Sequence, residues 1–307
     1  MTAATVSLGS VTAGCRGRLA AHYGPKVEAW LSQVPALLDA AAGRWDVTLS
    51  GYHDAGHASV LATGTDHAGL PVILKAWFDR DRYVREVAAL RYWEPANGRV
   101  VLADDQPSAV ALLAVVGPGP GGAPRPEDDV PRVARALARL HRQPLPTDAF
   151  PHLDGYLREE VAARICRRMP CHGDDIPLCV TRGRRDAVPE PTGRPAVLLH
   201  ADLYRENVLF DDRGEPVFVD PLPMIGDPAF DWAFFAVYYD LADDPRPRLR
   251  AAAEISRIDQ QTLLPWCRIQ CLDGLLFYRE TGDHRAGRMV EVMTALEAWT
   301  SRSSPRR

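Results

Sequence analysis

The chain has 307 residues, of which 46% are hydrophobic and 25% charged, and its formal net charge is −4. This composition is typical of a globular protein with one large core or two smaller ones, and the acidic balance argues against a nucleic-acid partner. No run reaches the about 18 apolar residues of a membrane span, and the first residues lack a signal peptide, so we expect a cytoplasmic monomer without membrane contacts.

The amino-terminal part begins with helical periodicity and then changes to short strand-like runs. Trp30, Val34 and Leu38 recur at four-residue steps and predict one or two helices within 11–44. A further helix is predicted over 79–94, after the third of five runs rich in β-branched or aromatic residues. These runs predict an antiparallel sheet, with strands at 45–51, 57–64, 71–78, 98–105 and 108–116.

A glycine and proline stretch, "GPGPGGAPRPEDD", separates this part from a mainly helical remainder. Two very short strands, at 207–210 and 216–220, interrupt the helical patterns around the turn "DDRGE". We therefore predict an α+β fold with a sheet-containing amino-terminal lobe, a hinge and a mainly helical carboxy-terminal lobe. The predicted boundaries are 1–116 for the first lobe, 117–129 for the hinge, 130–301 for the helical lobe and 302–307 for a disordered tail.

Lysine is rare in this chain, because Lys26 and Lys75 are the two lysines among 36 basic residues. Lys75 lies inside the apolar run "PVILKAWF", where a charge is unfavourable unless it is paired or faces solvent. Strand alternation leaves both alternatives open. We expect Lys75 to contact nucleotide phosphates and to pair with Glu86 of the following helix, rather than with Glu94 at the helix end.

The segment "LLHADLYRENVLFDD", residues 198–212, contains the spacing H-x-D-L-x-x-x-N of a kinase catalytic loop. In that pattern the aspartate, here Asp202, accepts the hydrogen bond of the incoming hydroxyl, and His200 belongs to the catalytic group. Asn207 and Asp220 offer the oxygen ligands that Mg²⁺ prefers. The structural alternative is that these residues are ordinary turn and cap residues.

The turn between the first two predicted strands is the candidate phosphate-covering loop. Its backbone amides could face the phosphates of ATP or GTP, although a plain hairpin turn explains its glycines equally well. The predicted nucleotide contacts in this turn are Gly56, His57, Ala58 and Ser59.

Three segments resemble the aminoglycoside phosphotransferase superfamily: "HADLYRENVL", "VDPLPMIGDPAFDWA" and "LARLHRQP". The similarity is greatest to the streptomycin 6-phosphotransferases and hydroxyurea-resistance kinases. It implies a two-lobed protein-kinase-like fold, use of Mg²⁺ and ATP, and phosphorylation of a small-molecule hydroxyl. It also implies that Asp202 is the catalytic base, that Asn207 and Asp220 bind metal, and that Asp227 and Asp231 support the site.

The acceptor is expected to be an antibiotic, with a streptomycin-type aminoglycoside as the first candidate. Ala201, Arg205 and Leu222 depart from the residues usual in the streptomycin kinases, so the alternatives include nucleoside or peptide antibiotics, hydroxyurea and metabolites. An acidic cleft would concentrate a cationic antibiotic. The predicted substrate contacts are Arg205, Asp240, Asp273 and Glu280.

Two other classes of protein compete with an active kinase. A metal-dependent phosphohydrolase would use His200, Asp202, Asp220 and Asp227, but it would need further histidines, and His284 is the nearest downstream. The glycine-poor loop mildly favours a non-catalytic nucleotide-binding pseudokinase. The joint presence of Asp202, Asn207, Asp220 and Lys75 argues against it. The six cysteines lack C-x-x-C spacing, and we expect neither zinc nor disulfides.

Overall fold

A computed structural model describes residues 8–56, 58–146, 150–174, 176 and 189–303. By its contacts the chain divides into two compact units. The first, called the sheet unit, comprises Met1–Arg125 and Leu209–Val219, and the second, called the helical unit, comprises Pro126–Val208 and Asp220–Arg307. No helix of the described ranges is long and apolar enough to cross a membrane.

The helices are numbered in chain order. They are α1 (Ala13–Tyr23), α2 (Glu28–Leu31), α3 (Val34–Arg44), α4 (Arg80–Tyr92), α5 (Glu94–Asn97), α6 (Asp129–His141), α7 (Leu153–Gly155), α8 (Ala162–His172), α9 (Ala229–Tyr238), α10 (Pro245–Ser256), α11 (Gln260–Glu280) and α12 (Arg285–Ser303). Short 3₁₀ turns cover Pro25–Val27 and Arg205–Asn207, and a π-helical segment, Tyr156–Val161, joins α7 to α8.

The strands are β1 (Thr48–His53), β2 (Ser59–Thr65), β3 (Pro71–Trp77), β4 (Val101–Asp105), β5 (Val110–Ala114), β6 (Val197–Leu199), β7 (Val208–Phe210), β8 (Pro216–Phe218) and β9 (Met224–Gly226). The first five form one sheet in the order β1-β2-β3-β5-β4, and every neighbouring pair is antiparallel. The five-stranded antiparallel sheet predicted from the sequence is thereby confirmed.

Helices cover both faces of the five-stranded sheet. Alternation along β3 sends Val72, Leu74 and Ala76 into a core shared with α1 and α3. The opposite face of β3 packs with α4 in a second core, to which Trp77 belongs. Helix α4 begins where Asp79 caps it, since the Asp79 carboxylate accepts the backbone N–H groups of the first helical turn.

The β7–β8 hairpin belongs by its contacts to the sheet unit. Asn97, in α5, donates from Nδ2 to the carbonyl oxygen of Phe218 and accepts the Phe218 N–H at Oδ1, both at 2.8 Å. Val217 and Val219 pack against the second core of that unit. The sequence-based boundaries placed this hairpin with the helices, because Asn97 and Phe218 lie too far apart in the chain for a local pattern to connect them.

The helical unit contains α6 to α12 and the β6–β9 ribbon. All ten residues of α9 are buried, which matches a helix whose residues are apolar or aromatic except for Asp231. Helix α12 ends at Ser303, and residues 304–307 of the predicted tail lie outside the described part of the chain. In the described residues five cysteines are free thiols, and burial raises the pKa of Cys267 to about 12.

Candidate active site

Lys75 lies on the α4 side of β3 and is 3% exposed. Its Nζ is 2.5 Å from Oε1 of the fully buried Glu86, so the ion pair expected from the sequence is present. The other carboxylate oxygen, Oε2, accepts a hydrogen bond from Trp77 Nε1 at 2.8 Å. The solvent-facing alternative for Lys75 therefore does not hold, and both oxygens of Glu86 are used inside the protein.

Trp77 was not among the residues selected from the sequence. It lies two residues after Lys75 in β3, so strand alternation places both on one face. The Lys75 Nζ is 4.8 Å from the centroid of the Trp77 ring, close enough for a cation–π contact. Alternation was the signal that could have identified this partner.

The turn between β1 and β2 is attached to α1 through its carbonyl oxygens. The Gly56 oxygen accepts from Arg18 Nε at 3.1 Å, and the Ala58 oxygen accepts from the Tyr23 hydroxyl at 3.0 Å. Gly56 has φ +90°, and Ser59 is buried at the start of β2. His57 lies outside the described residues. A phosphate-binding role for this turn stays a prediction.

The segment after β6 is fixed by the fully buried Asp231 at the first turn of α9. Its carboxylate accepts the backbone N–H groups of His200 and Ala201, both at 2.8 Å, and lies 2.9 Å from His141 Nε2. Ala201 has φ +58°, a conformation that an alanine adopts only when its surroundings impose it. Asp231 thus braces the loop, as the family resemblance implied.

Asp202 follows this braced pair and is half-buried. Asn207 donates from Nδ2 to the Asp202 backbone oxygen at 2.8 Å and to its Oδ2 at 2.9 Å, so a neutral amide orients the carboxylate. His200 is fully buried, and its Nδ1 accepts the Asp202 N–H at 3.3 Å. We therefore treat His200 as a positioning residue, which differs from its predicted place in the catalytic group.

Asn207 and Asp220 stand immediately before and after the segment that forms the β7–β8 hairpin. Both bonds that Asn207 makes to Asp202 use its nitrogen, so neither uses the amide oxygen. No group of three or more His, Cys, Asp or Glu side chains suited to a metal occurs among the described residues. An amide and a carboxylate nevertheless fit Mg²⁺, which takes few protein oxygens together with phosphate and water.

Asp227 fixes the chain just before α9. Its Oδ2 accepts the Thr192 N–H at 2.6 Å, and its Oδ1 accepts the N–H of Ala229, the first residue of α9, at 2.9 Å. An aspartate two residues before a helix satisfies one of the amides that the first turn leaves unpaired. These contacts agree with a structural role for Asp227.

A cavity opens beside Asp202 and is lined entirely by residues of the helical unit. Five aromatic rings form much of its wall, and Ala201 and Leu222, two of the departures noted in the sequence, also face it. The lining residues are Tyr156, Leu157, Val161, Arg164, Ala201, Asp202, Tyr204, Leu222, Phe230, Phe234, Tyr238, Ile269, Gln270 and Asp273. We call this the acceptor cavity.

Of the four predicted substrate contacts, Asp273 lines the acceptor cavity. Its carboxylate is 2.6 Å from Arg164 Nη2 and 3.4 Å from Arg168 Nη1, and Arg168 also pairs with Glu280 at 2.7 Å. Arg205 and Asp240 pair with each other, and they and Glu280 do not belong to the lining. Among these residues the structure thus brings one carboxylate to the cavity, and two arginines compensate its charge.

Burial and hydrogen bonding set the protonation state of one arginine and two tyrosines that line the cavity. Burial alone would lower the pKa of Arg164. Its hydrogen bond to Asp273, together with the charge of that carboxylate and the contact with Tyr156, outweighs this effect and raises the pKa above the usual arginine value, so the guanidinium stays charged. Burial also raises the pKa of Tyr204 and of Tyr238 well above the usual tyrosine value. Their hydroxyl groups therefore remain neutral, and the Tyr238 hydroxyl donates to the backbone oxygen of Gln270 at 2.9 Å.

Sequence reasoning missed most of this cavity, including Tyr156, Arg164 and Gln270. These residues come from helical segments that are far apart in the sequence. Tyr156, before α8, and Gln270, in α11, are more than 100 positions apart. No short motif contains them. A π-helical segment is often found at functional sites, but it has no sequence signature.

A buried lysine–glutamate pair and a braced loop bearing an aspartate and an asparagine define a phosphotransferase with a protein-kinase-like fold. The model of the phosphotransferase enzyme family matches residues 53–266, and the chain belongs to this family. The resemblance identified in the sequence is confirmed.

Two relatives and one solved structure show how close these similarities are. Streptomycin 6-kinase of Streptomyces glaucescens is 28% identical over 274 residues, which cover 85% of this chain and 88% of that protein. The Streptomyces griseus streptomycin 6-kinase is 29% identical, covering 84% and 87%. Macrolide 2'-phosphotransferase type I matches with a TM-score of 0.55 and 16% identity, covering 91% and 98%.

Proposed function

We propose that the protein transfers the γ-phosphate of ATP or GTP, bound with Mg²⁺, to a hydroxyl group of an antibiotic. The observation that carries this proposal is the position of Asp202, whose carboxylate is oriented by Asn207 at the wall of an aromatic cavity. A carboxylate so placed can accept the hydrogen bond of a hydroxyl group and remove its proton as the new bond to phosphorus forms.

Each protein group has a separate task in this reaction. Asp202 orients the acceptor hydroxyl and takes its proton, while the bond from the γ-phosphorus to the nucleoside diphosphate breaks. Lys75, held by Glu86, contacts the nucleotide phosphates. Asn207 and Asp220 would hold Mg²⁺, which when bound offsets the negative charge of the phosphate oxygens.

Streptomycin is the first candidate for the acceptor. The two relatives described above are streptomycin 6-kinases, and each alignment spans most of both chains. Aromatic rings such as Tyr204 and Phe234 offer faces that attract a cationic ligand without requiring unpaired carboxylates. We place the reaction in the cytoplasm, where the nucleotide is available, with the protein acting as a monomer.

An uncharged antibiotic is the second candidate. Arg164 lines the cavity and compensates Asp273, so the lining has less negative charge than a site selected only for a polycation. Nucleoside or peptide antibiotics therefore belong in any test, together with hydroxyurea and the amino alcohols that metabolic kinases use.

The test incubates purified protein with Mg-ATP and each compound of this panel, and follows ADP release together with the mass gain of one phosphate. We expect phosphorylation of streptomycin that is lost in Asp202→Asn. Phosphorylation of an uncharged compound alone would move the proposal to the second candidate. A protein that binds Mg-ATP and modifies no compound would be a pseudokinase toward this panel.

A further inference from the structure

We propose that Gln270 determines acceptor specificity by donating a side-chain hydrogen bond to an oxygen atom of the antibiotic. This inference rests on the proposed function and adds a recognition contact that the catalytic residues do not provide. It identifies the acceptor as a compound that presents a hydroxyl, ether or carbonyl oxygen to the α11 side of the cavity, while its reacting hydroxyl lies at Asp202.

Gln270 combines burial with an unsatisfied donor. It is 8% exposed, and its Nε2 is buried without a hydrogen-bond partner among the residues that the structure describes. An amide N–H₂ group removed from water without a partner is destabilising, whereas a leucine or methionine would fill the same volume without that loss. A polar side chain at this place therefore requires an explanation outside the packing of the core.

The position of Gln270 supplies that explanation. Gln270 belongs to the lining of the acceptor cavity, together with Asp202 and Asp273. The backbone of α11 is fixed at this point, because the Gln270 carbonyl oxygen accepts from the Tyr238 hydroxyl at 2.9 Å. The Nε2 atom itself is enclosed in the free protein, so a ligand reaches it when the Gln270 side chain turns toward the cavity, and binding then satisfies a group that the free protein leaves unpaired.

The chemistry of the donor limits what the ligand can present to it. The Gln270 amide has an acceptor oxygen and a donor nitrogen, and the atom without a partner is the nitrogen, which matches a ligand oxygen and not an ammonium or guanidinium group. The neighbouring Asp273 is engaged by Arg164 and Arg168, which reduces its attraction for a cation. On this side of the cavity the matching group is a neutral oxygen, which both a polyhydroxylated aminoglycoside and an uncharged glycoside can offer.

The test uses two substitutions at one position and a matched control. Gln270→Met removes the donor and keeps the length of the side chain, and Gln270→Glu replaces the donor with an acceptor. Gln261→Met makes the same change on an exposed residue of α11 outside the cavity lining. Steady-state kinetics with streptomycin, or with the panel compound that the parent phosphorylates, is combined with calorimetric Mg-ATP binding and thermal unfolding.

We expect Gln270→Met and Gln270→Glu each to raise the KM for the acceptor about 10-fold or more, because a ligand oxygen loses its donor. Mg-ATP affinity should stay that of the parent, and Gln270→Met should melt no lower than the parent. Gln261→Met should leave all three measurements unchanged.

Two results contradict the inference in different ways. An unchanged acceptor KM in Gln270→Met would show that the amide makes no contact with the ligand. A lower KM in Gln270→Glu would show that a cationic donor of the ligand faces position 270. A parent protein that phosphorylates no panel compound overturns the proposed function as well, and the parent reaction alone reveals this.

Discussion

The two regions that carry the candidate chemistry differ in how their polar groups are satisfied. In the sheet unit, Glu86 uses one carboxylate oxygen for Lys75 and the other for Trp77, and all three residues are buried. In the helical unit, Asp202 is half-buried at a cavity wall and Gln270 has a buried nitrogen without a partner. One network is closed within the protein, and the other is, by our proposal, completed by a ligand.

The closed network is suited to positioning a side chain, whereas the open region is suited to recognising a ligand. A closed network fixes the direction of a charged side chain, because moving it would expose a buried charge without its partner. An open group contributes little to the folded protein and contributes to binding when a complementary ligand arrives. Substitutions in the two regions should therefore affect different measurements.

The largest expected effect is on turnover, and it follows from a substitution of Asp202 at the wall of the acceptor cavity. Asp202→Asn keeps the size of the side chain and removes the base, so kcat should fall by about 10²- to 10⁴-fold. Mg-ATP binding, measured by calorimetry, should be close to that of the parent. Asp212→Asn makes the same change at an exposed turn position and should leave kcat unaltered. Turnover within tenfold of the parent would remove Asp202 from the mechanism.

The closed network should respond first in stability. Lys75→Met or Glu86→Leu alone leaves a buried charge without its partner, which should lower the free energy of unfolding by about 3–5 kcal/mol. The double variant Lys75→Met/Glu86→Leu removes both charges and should recover most of that loss in urea unfolding. It should still lack activity, because the phosphate contact that we propose for Lys75 is absent. A double variant with parental kcat would show the pair to be purely structural.

The elements of the sheet unit could be predicted from sequence because their signals are local. Apolar runs of strand length, turns between them and the cap at Asp79 all lie within a few residues of the structure they specify. The partnership of Lys75 and Glu86 could also be predicted, since a lysine in an apolar strand requires a carboxylate and the next helix offers one. Trp77 followed from the same alternation and was overlooked.

The acceptor cavity could not be predicted in this way. Asp240 and Glu280 were selected because an acidic cleft would attract a cation, and Arg205 because it departs from the family pattern near the acceptor. Each is engaged in an ion pair outside the cavity lining. Which carboxylates face a cavity depends on how α8, α9 and α11 pack, and that packing joins residues more than 100 positions apart. The spacing of residues in the sequence does not predict contacts between such distant positions.

A smaller effect on stability should follow from adding a methyl group at Gly274, next to Tyr238 of the acceptor cavity. A Cβ atom at Gly274 in α11 would lie 1.9 Å from the Tyr238 hydroxyl oxygen and 3.0 Å from Tyr238 Cζ. Gly274→Ala should therefore lower the free energy of unfolding by about 1–3 kcal/mol, although alanine favours a helix more than glycine does. It should also raise the acceptor KM, since Tyr238 lines the cavity.

The matched control for this change is Gly287→Ala in α12, where an added Cβ has no atom within 4 Å. This variant should be as stable as the parent or slightly more stable. Equal melting temperatures for the two variants would show that Tyr238 moves aside without loss of packing.

The smallest expected effect tests the link between His141 and the braced loop. His141→Gln keeps a hydrogen-bonding side chain near Asp231, which retains both backbone hydrogen bonds from His200 and Ala201. The free energy of unfolding of this variant should stay within about 1 kcal/mol of the parent value, because the contact to Asp231 is replaced and not lost. His141→Phe removes the donor and should reduce kcat more than His141→Gln. Equal kcat values for both variants would exclude His141 from positioning Asp202.

The attachment of the β7–β8 hairpin to the sheet unit has a consequence for synthesis of the protein. The ribosome completes residues 1–125 well before it reaches Phe218, whose backbone forms two hydrogen bonds with Asn97. The sheet unit can therefore complete its packing during translation only after about ninety further residues, including the β7–β8 hairpin, have been synthesised. A fragment that stops at the glycine and proline stretch would never acquire this last piece, so separate expression of the sheet unit requires a spliced chain rather than a simple truncation.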